Sequence, residues 1–260
     1  MGMLLGLAPW IVYWVLVGNV PFAIAALVAL TIAVAAVATQ SAYGKPVGTL
    51  ETGSVAVLVV LTVLTFTLTV RVQQQWLLPL GNAGIFLVAL VGTLLGKSFV
   101  RESLAAEQPA DVLKTELFAN VVKVLSWTWV ATFLVMAVSS AIPPVADTGS
   151  SILDTKTPLS FVFYWVIPFA LFGATALSSR FLSGRMLAGI DDVARETSFV
   201  AYDEATIDEL YFLATEHANR EVGPGKEAYN VKVGGMGTPL TGDESRKSWP
   251  STYKVRDKRR

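Results

Sequence analysis

Residues 76–96 read Trp-Leu-Leu-Pro-Leu-Gly-Asn-Ala-Gly-Ile-Phe-Leu-Val-Ala-Leu-Val-Gly-Thr-Leu-Leu-Gly, with no Asp, Glu, Lys or Arg anywhere in the run. A helix rises about 1.5 Å per residue and a bilayer's hydrocarbon core is about 30 Å thick, so a stretch of this length and polarity predicts a transmembrane helix. Within it Gly84, Val88, Gly92 and Gly96 recur at four-residue spacing, as Ala25, Ala29 and Ala33 do earlier. Small residues on one stripe let helix backbones approach closely, within this chain or against a partner helix.

Working outward, runs 22–40, 53–70, 117–142 and 159–179 have the same character, with Lys123 as the one charge inside them. Segment 3–18 is shorter and is interrupted by Pro9. The expected fold is therefore all-α: a polytopic membrane bundle of six transmembrane helices, or five plus a re-entrant first segment. The first run lacks a cationic flank, so removal of a signal peptide after Ala36-Val37-Ala38 is not expected. Trp10, Trp14, Trp76, Trp127, Trp129 and Trp165 lie in or beside these runs, where interfacial anchoring accounts for most of them.

The whole chain fits this reading, being 53% hydrophobic and only 15% charged, with a mean hydropathy of +0.55. Soluble domains carry roughly one quarter charged residues. Fourteen of the charged residues precede Arg180 and 26 follow from it, so the last third reads as water-soluble. This distribution excludes an ordinary cytosolic enzyme, a disulfide scaffold and a strongly basic nucleic-acid binder. The chain has no cysteine and a single histidine, His217, so neither thiolate chemistry nor a histidine metal cage is expected, and no cofactor is implied.

Orientation follows the short-loop cations. Lys45, then Lys97, Arg101 and Lys114, then Arg180 and Arg185 fall on one side, against Arg71 and Lys156 on the other. The first side is read as cytoplasmic, which places a bacterial inner-membrane protein with its C-terminus, and with six spans its N-terminus, inside.

Beyond Arg180, Phe181, Met186, Ile190, Val193 and Ala194 share a helical stripe, read either as a surface helix or as the last span continuing into water. Asp203-Glu204 followed by Ile207, Leu210, Tyr211, Ala214 and Ala218 predicts a capped amphipathic helix ending near Gly223-Pro224-Gly225. Three regions result: 1–180 transmembrane, 181–222 juxtamembrane amphipathic helices, and 223–260 a flexible basic tail with little regular structure. Lys254, Arg256, Lys258, Arg259 and Arg260 in that tail are expected to touch anionic lipid rather than nucleic acid.

Chemistry-bearing features are few. Lys123 reads either as a contact for an anionic substrate or lipid, with Asn120, Asn82 and Glu116 about it, or as a snorkelling side chain. No span holds an Asp or Glu, which weakens a cation-coupled transporter. Gly225-Lys226 and Gly234-Gly235-Met236-Gly237 lack phosphate-loop spacing, and Asp191-Asp192 and Glu216-His217 match metal ligands in composition only.

Leu50-Glu51-Thr52-Gly53-Ser54, Gly96-Lys97 with Phe99, then Pro109, Phe118, Lys123, Ser126, Trp129 and Phe133 resemble, over about residues 49–137, an uncharacterised family of bacterial multi-span inner-membrane proteins. More faintly the stretch is similar to the intracellular septation protein A family, linked with the cell envelope. Ser98 stands where the family pattern has proline, Lys123 where it has arginine and Ser126 where it has threonine. Ser103–Ala106 lacks its Tyr-Ala-Arg-Glu segment. The resemblance implies location and fold rather than a reaction. The expected function is a non-enzymatic envelope accessory or scaffold subunit, its partners being membrane lipids, a membrane protein on the small-residue faces and a cytoplasmic protein on the tail. A small transporter or lipid-handling permease built on Lys123 is the alternative.

Overall fold

The computed structural model describes residues 6–44, 46–106, 108, 112–187, 194–223, 225–241 and 243–257. Lys45, Pro109, Ile190, Asp191, Asp192, Val193, Pro224, Lys258, Arg259 and Arg260 lie outside the described residues. The chain divides into two compact units, one of residues 1–109 and 120–182, the other of 110–119 and 183–260.

The first unit is helical: α1 (Ala8–Leu16), α2 (Phe22–Ala42), α3 (Thr49–Thr67), α4 (Val70–Leu94), α5 (Phe99–Ala105) and α6 (Glu116–Ala146), the last beginning in the other unit. After these come α7 (Pro158–Phe161), a π-helical turn at Val162–Val166, and α8 (Ile167–Leu187). Five stretches, Phe22–Ala42, Thr49–Thr67, Val70–Leu94, Glu116–Ala146 and Pro158–Leu182, are long and apolar enough to cross a membrane. Only 22 to 50% of their most apolar windows is buried, so most of that apolar surface needs an apolar solvent.

Among the described residues five such stretches are found rather than six; segment 3–18 is described only from Gly6 onward and holds α1. Its nine residues reach about 13 Å, under half the hydrocarbon core. Pro9 lies in the first turn of this helix, where its missing N–H costs no hydrogen bond. It is nevertheless a core element, because Trp10, Tyr13 and Trp14 are at most 1% exposed. Gly6 lies beside Leu50 at the start of α3, and Gly18 beside the Trp165 indole in the π turn.

Helices α3 and α4 interlock by size. A Cβ on Gly84 would stand 2.3 Å from Val57 Cγ1, and one on Gly53 2.5 Å from Val88 Cγ1. The two glycines thus receive two valines, and the stripe on α4 is turned to its own chain. Gly96 is not part of it. With φ +71° it follows the end of α4, where the Lys97 N–H donates to Gly92 O (2.9 Å) and the Gly96 N–H to Thr93 O (3.1 Å). This is a glycine helix stop. Ala25, Ala29 and Ala33 are buried on α2, which packs against α1 and α3.

Residues 194–257 correct the reading of the tail. The strands are β1 (Arg195–Tyr202), β2 (Lys226–Val233), β3 (Thr238–Leu240) and β4 (Asp243–Asp257), with α9 (Ile207–Val222) on one face. The sheet is antiparallel in the order β1-β4-β2, with β3 also against β4. The last span continues as helix to Leu187, the last described residue before 194, which fits the second reading of the stripe beyond Arg180, and Arg195 is already in a strand. The cap of α9 is Thr206, not Asp203. Its hydroxyl and the Glu209 carboxylate form a capping box, the Thr-x-x-Glu spacing that satisfies two orphan backbone donors. Phe199, Ala201, Leu210 and Ala214 form one buried cluster, and Ala218, Tyr253 and Val255 another.

Pro250 lies within β4, which has neighbours on both sides, where proline is rarely found. It is accommodated because β2 ends at Val233 and β3 begins at Thr238. Pro250 O accepts from the Gly234 N–H at 2.7 Å, and a strand residue's N–H and C=O point to the same side, so the missing donor faces that break. Gly237 in the same connection lies against the Trp249 indole, where a Cβ would stand 2.9 Å from ring carbons.

Candidate functional site

The apolar setting of the bundle makes every buried polar group seek a protein partner. Asn82 is 1% exposed and central to the longest chain of such partners. Its Oδ1 accepts from Trp14 Nε1 (3.0 Å), and its Nδ2 donates to Ser140 Oγ (3.1 Å), whose own hydroxyl donates to Met136 O (2.8 Å). Beside this chain Trp10 Nε1 donates to Ser54 Oγ (2.7 Å) and Tyr13 Oη to Leu77 O (3.0 Å). Three helices, α1, α4 and α6, are joined through one amide. Asn82 is therefore occupied structurally.

Lys123, Asn120 and Glu116 do not meet it. All three are exposed on α6, spaced i, i+4 and i+7 so that they fall on one helix face with Trp127, itself 45% exposed. Lys123 therefore faces outward rather than into the bundle interior, as a snorkelling lysine does.

A second assembly gathers around the α3 start. Thr49 Oγ1 donates to Lys97 O (2.6 Å), and both Glu102 carboxylate oxygens lie within 3.2 Å of the Thr49 N–H, which donates to them. Gln40 Nε2 donates to Glu51 Oε1 at 3.3 Å. The carboxylates of Glu51 and Glu102 both reach the Cα of Gly48, where a Cβ would stand 2.1 and 2.7 Å from their Oε2 atoms. Partial burial, and then the charge of Glu51, raise Glu102 above the ordinary carboxylate range; the Thr49 hydrogen bonds and Lys97 act the other way. Ser126 Oγ donates to Ser98 Oγ (2.8 Å), the Ser98 hydroxyl caps α5 by accepting the Arg101 N–H, and Phe99 packs edge-on against Trp129, which leans on Phe133.

Of the residues quoted for the resemblance, Glu51 and Lys97 lie near the Thr49–Glu102 contact, and Phe99, Ser126, Trp129 and Phe133 lie between α5 and α6, whereas Gly53 meets α4, Ser54 meets α1 and Lys123 faces outward. Glu102 escaped the sequence reading because its partner is 53 positions away. No protein-family model, curated protein or solved structure matches this chain.

In the C-terminal unit, Lys254 pairs across the ladder with Tyr229, and Arg256 Nε donates to Glu227 Oε1 (2.7 Å) with its guanidinium over the Tyr229 ring. Lys247 pairs with Asp203 (2.5 Å), and Arg246 sits over the Tyr202 ring. These cations are held in a sheet instead of trailing from a flexible end. His217 Nε2 lies 3.4 Å from Glu221 Oε1 on α9, and Glu216 pairs with Arg220.

Proposed function

We propose that this chain is a bacterial inner-membrane protein acting without catalysis, an envelope accessory or scaffold subunit that carries a small α+β domain on the cytoplasmic side. The observation that carries the reading is the use of the bundle's interior polar groups on one another, from Trp14 through Asn82 to Ser140, beside a folded polar unit suited to protein contact. The alternative permease loses its grouping, since Lys123, Asn120 and Glu116 lie on an outer face and Asn82 is already bonded. The likeness to septation protein A and to the inner-membrane family belongs to the same proposal. So does the orientation, with Lys97, Arg101, Lys114, Arg180 and Arg185 inside. Because Gly84, Ala25, Ala29 and Ala33 are turned to their own chain, the protein partner is assigned to the sheet-and-helix unit.

Two measurements test this. In intact cells an impermeant thiol reagent should label a cysteine introduced at Thr155 and spare one at Ala106; the reverse overturns the orientation. Cross-linking followed by mild-detergent purification and mass spectrometry should return a stoichiometric protein partner that is lost on deleting residues 194–260. Isolation of the chain alone, with substrate flux in proteoliposomes, would favour the permease.

A further inference from the structure

Between α3 and α4, at the end where Gly48 and Leu95 lie, an open groove of about 460 Å³ faces outward from the bundle. Its walls are Gly53, Ala56 and Val57 on one side and Leu87, Val88 and Val91 on the other. From Gly48 to Val57 it runs nine residues along α3, about 13 Å, close to half the roughly 30 Å hydrocarbon core. That is the depth of one acyl chain in one leaflet.

No charged side chain lines the groove itself, but charged groups lie just past its Gly48 end. Gly48, Thr49 and Thr52 line it, and the carboxylates of Glu51 and Glu102 converge on Gly48. Lys97 is exposed beside them, its carbonyl held by Thr49. Among the described residues, no lysine or arginine is within ion-pair distance of either carboxylate, although Lys97 is close enough to act on Glu102 through space. Two partly buried negative charges, one positive charge nearby and an apolar slot below describe a receptor for a head carrying an ammonium and a phosphate, with a hydrocarbon tail.

We propose that this groove binds one aminophospholipid of the phosphatidylethanolamine type, its ammonium on Glu51 and Glu102, its phosphate on Lys97 and one acyl chain along Ala56 and Leu87. The proposal rests on the membrane reading above. Burial and the neighbouring Glu51 charge hold Glu102 above its ordinary value, and a bound ammonium opposes both effects. Three primary-amine hydrogens also match carboxylate oxygens better than a quaternary head, which has no donor.

Native mass spectrometry of the full-length protein, exchanged into detergent with phosphatidylethanolamine, phosphatidylglycerol or phosphatidylcholine at equal concentration, tests it. One phosphatidylethanolamine should be retained in preference to the other two. Ala56→Trp fills the groove from an exposed position and should reduce retention about tenfold. Leu87→Trp on the facing wall, 53% exposed, is the companion should the first variant fail to fold. Glu51→Gln with Glu102→Gln should abolish the preference for the amine head, and Lys97→Ala should weaken both phosphatidylethanolamine and phosphatidylglycerol. Retention unchanged in both tryptophan variants, equal retention of all three lipids, or a protein adduct in place of lipid would overturn it. Release of the chain from membranes by alkaline carbonate would instead overturn the membrane reading itself.

Discussion

The Tyr164 hydroxyl donates to the Gln75 carbonyl at 2.9 Å, and Gln75 is the residue four before Pro79 in α4. Proline has no N–H, so this carbonyl loses its intrahelical donor, and a phenol from the π turn replaces it. The π turn is served in return. Phe163 O, whose i+5 donor would be Pro168, accepts from Ser139 Oγ at 3.0 Å. The carbonyls freed by Pro79 and Pro168 are thereby each tied to a hydroxyl on another segment, which is how a bundle tolerates irregular backbone in an apolar solvent.

Tyr164→Phe should lower stability by about 1–3 kcal/mol, because a buried carbonyl is left unpaired. Pro79→Ala restores the intrahelical donor, so the same change in that background should have a smaller effect. Thermal unfolding of the four proteins in one mild detergent gives the coupling; equal losses in both backgrounds would contradict this account.

Asn82 should behave as a junction. Trp14→Phe and Ser140→Ala each remove one of its partners, and losses of about 0.6–2 kcal/mol are expected for interhelical bonds of this kind. Asn82→Leu removes both bonds at once, so Trp14→Phe added to it should cost less hydrogen-bonding stability than Trp14→Phe alone. A double-mutant cycle measured by thermal unfolding would show strict additivity if the chain of bonds were unimportant.

Gly84→Ala should destabilise by about 1–3 kcal/mol, since the new Cβ would overlap Val57 Cγ1 at 2.3 Å. Val57→Ala in the same chain should recover most of the loss. Recovery from that one change would place the contact within the chain; no recovery would point to a second molecule on the stripe. Gly96→Ala should cost about 1 kcal/mol for a separate reason, the left-handed backbone at φ +71°, and Val57→Ala should leave it unaffected.

The spans were legible because long uncharged runs admit few other structures, and the bounds of α2 to α4 depart from the sequence reading by up to six residues, the largest at the start of α4, where Arg71 lies inside the helix. Segment 3–18 was harder, since its hydrophobicity suits both a membrane crossing and a buried short helix such as α1. The Gly84 stripe was visible as a period, but Gly96 shares that period while serving as a helix stop. Residues 226–257 were misread for a physical reason: glycines, serines and charges dominate their composition. The alternation Trp249, Ser251, Tyr253, Val255 was a strand signal hidden by Pro250, which belongs in an inner strand only where the neighbouring strand is broken. Glu102 had no local signature at all, because it serves the first turn of a helix elsewhere in the chain.

Glu102 gives a pH prediction with a definite sign. Its folded value lies above the ordinary 4.5, so in that window the folded chain holds a proton that the unfolded chain has released. Stability attributable to it is present in acid and is lost as pH rises through the folded value. The melting temperature of the wild type minus that of Glu102→Gln should therefore fall as pH rises above the ordinary carboxylate value. Asp154 acts in the opposite sense. Its carboxylate accepts from the Thr157 hydroxyl and from the N–H groups of Lys156 and Thr157, which holds it below the usual range, so Asp154→Asn should remove a loss of stability seen only at lower pH.

The C-terminal unit should resist protease despite its composition. Lys247, Lys254 and Arg256 are trypsin sites in the sequence, yet all three lie in β4, Lys247 laddered on both sides and Lys254 and Arg256 on the β2 side, and they are paired with Asp203, Tyr229 and Glu227. Brief trypsin treatment of the detergent-solubilised protein should leave 194–257 largely intact, because cleavage requires a strand to be drawn out of the sheet. Thr206→Ala should weaken the unit by about 1 kcal/mol through loss of the α9 cap. Tyr253→Ala should act more strongly, about 3–5 kcal/mol, since that ring is 2% exposed, belongs to the Ala218–Val255 cluster and donates to Glu221 Oε2 at 3.1 Å. The order of trypsin sensitivity is then wild type, Thr206→Ala, Tyr253→Ala. Immediate cleavage at Lys247 and Lys254 in the wild type would mean that these residues trail as a flexible basic end after all.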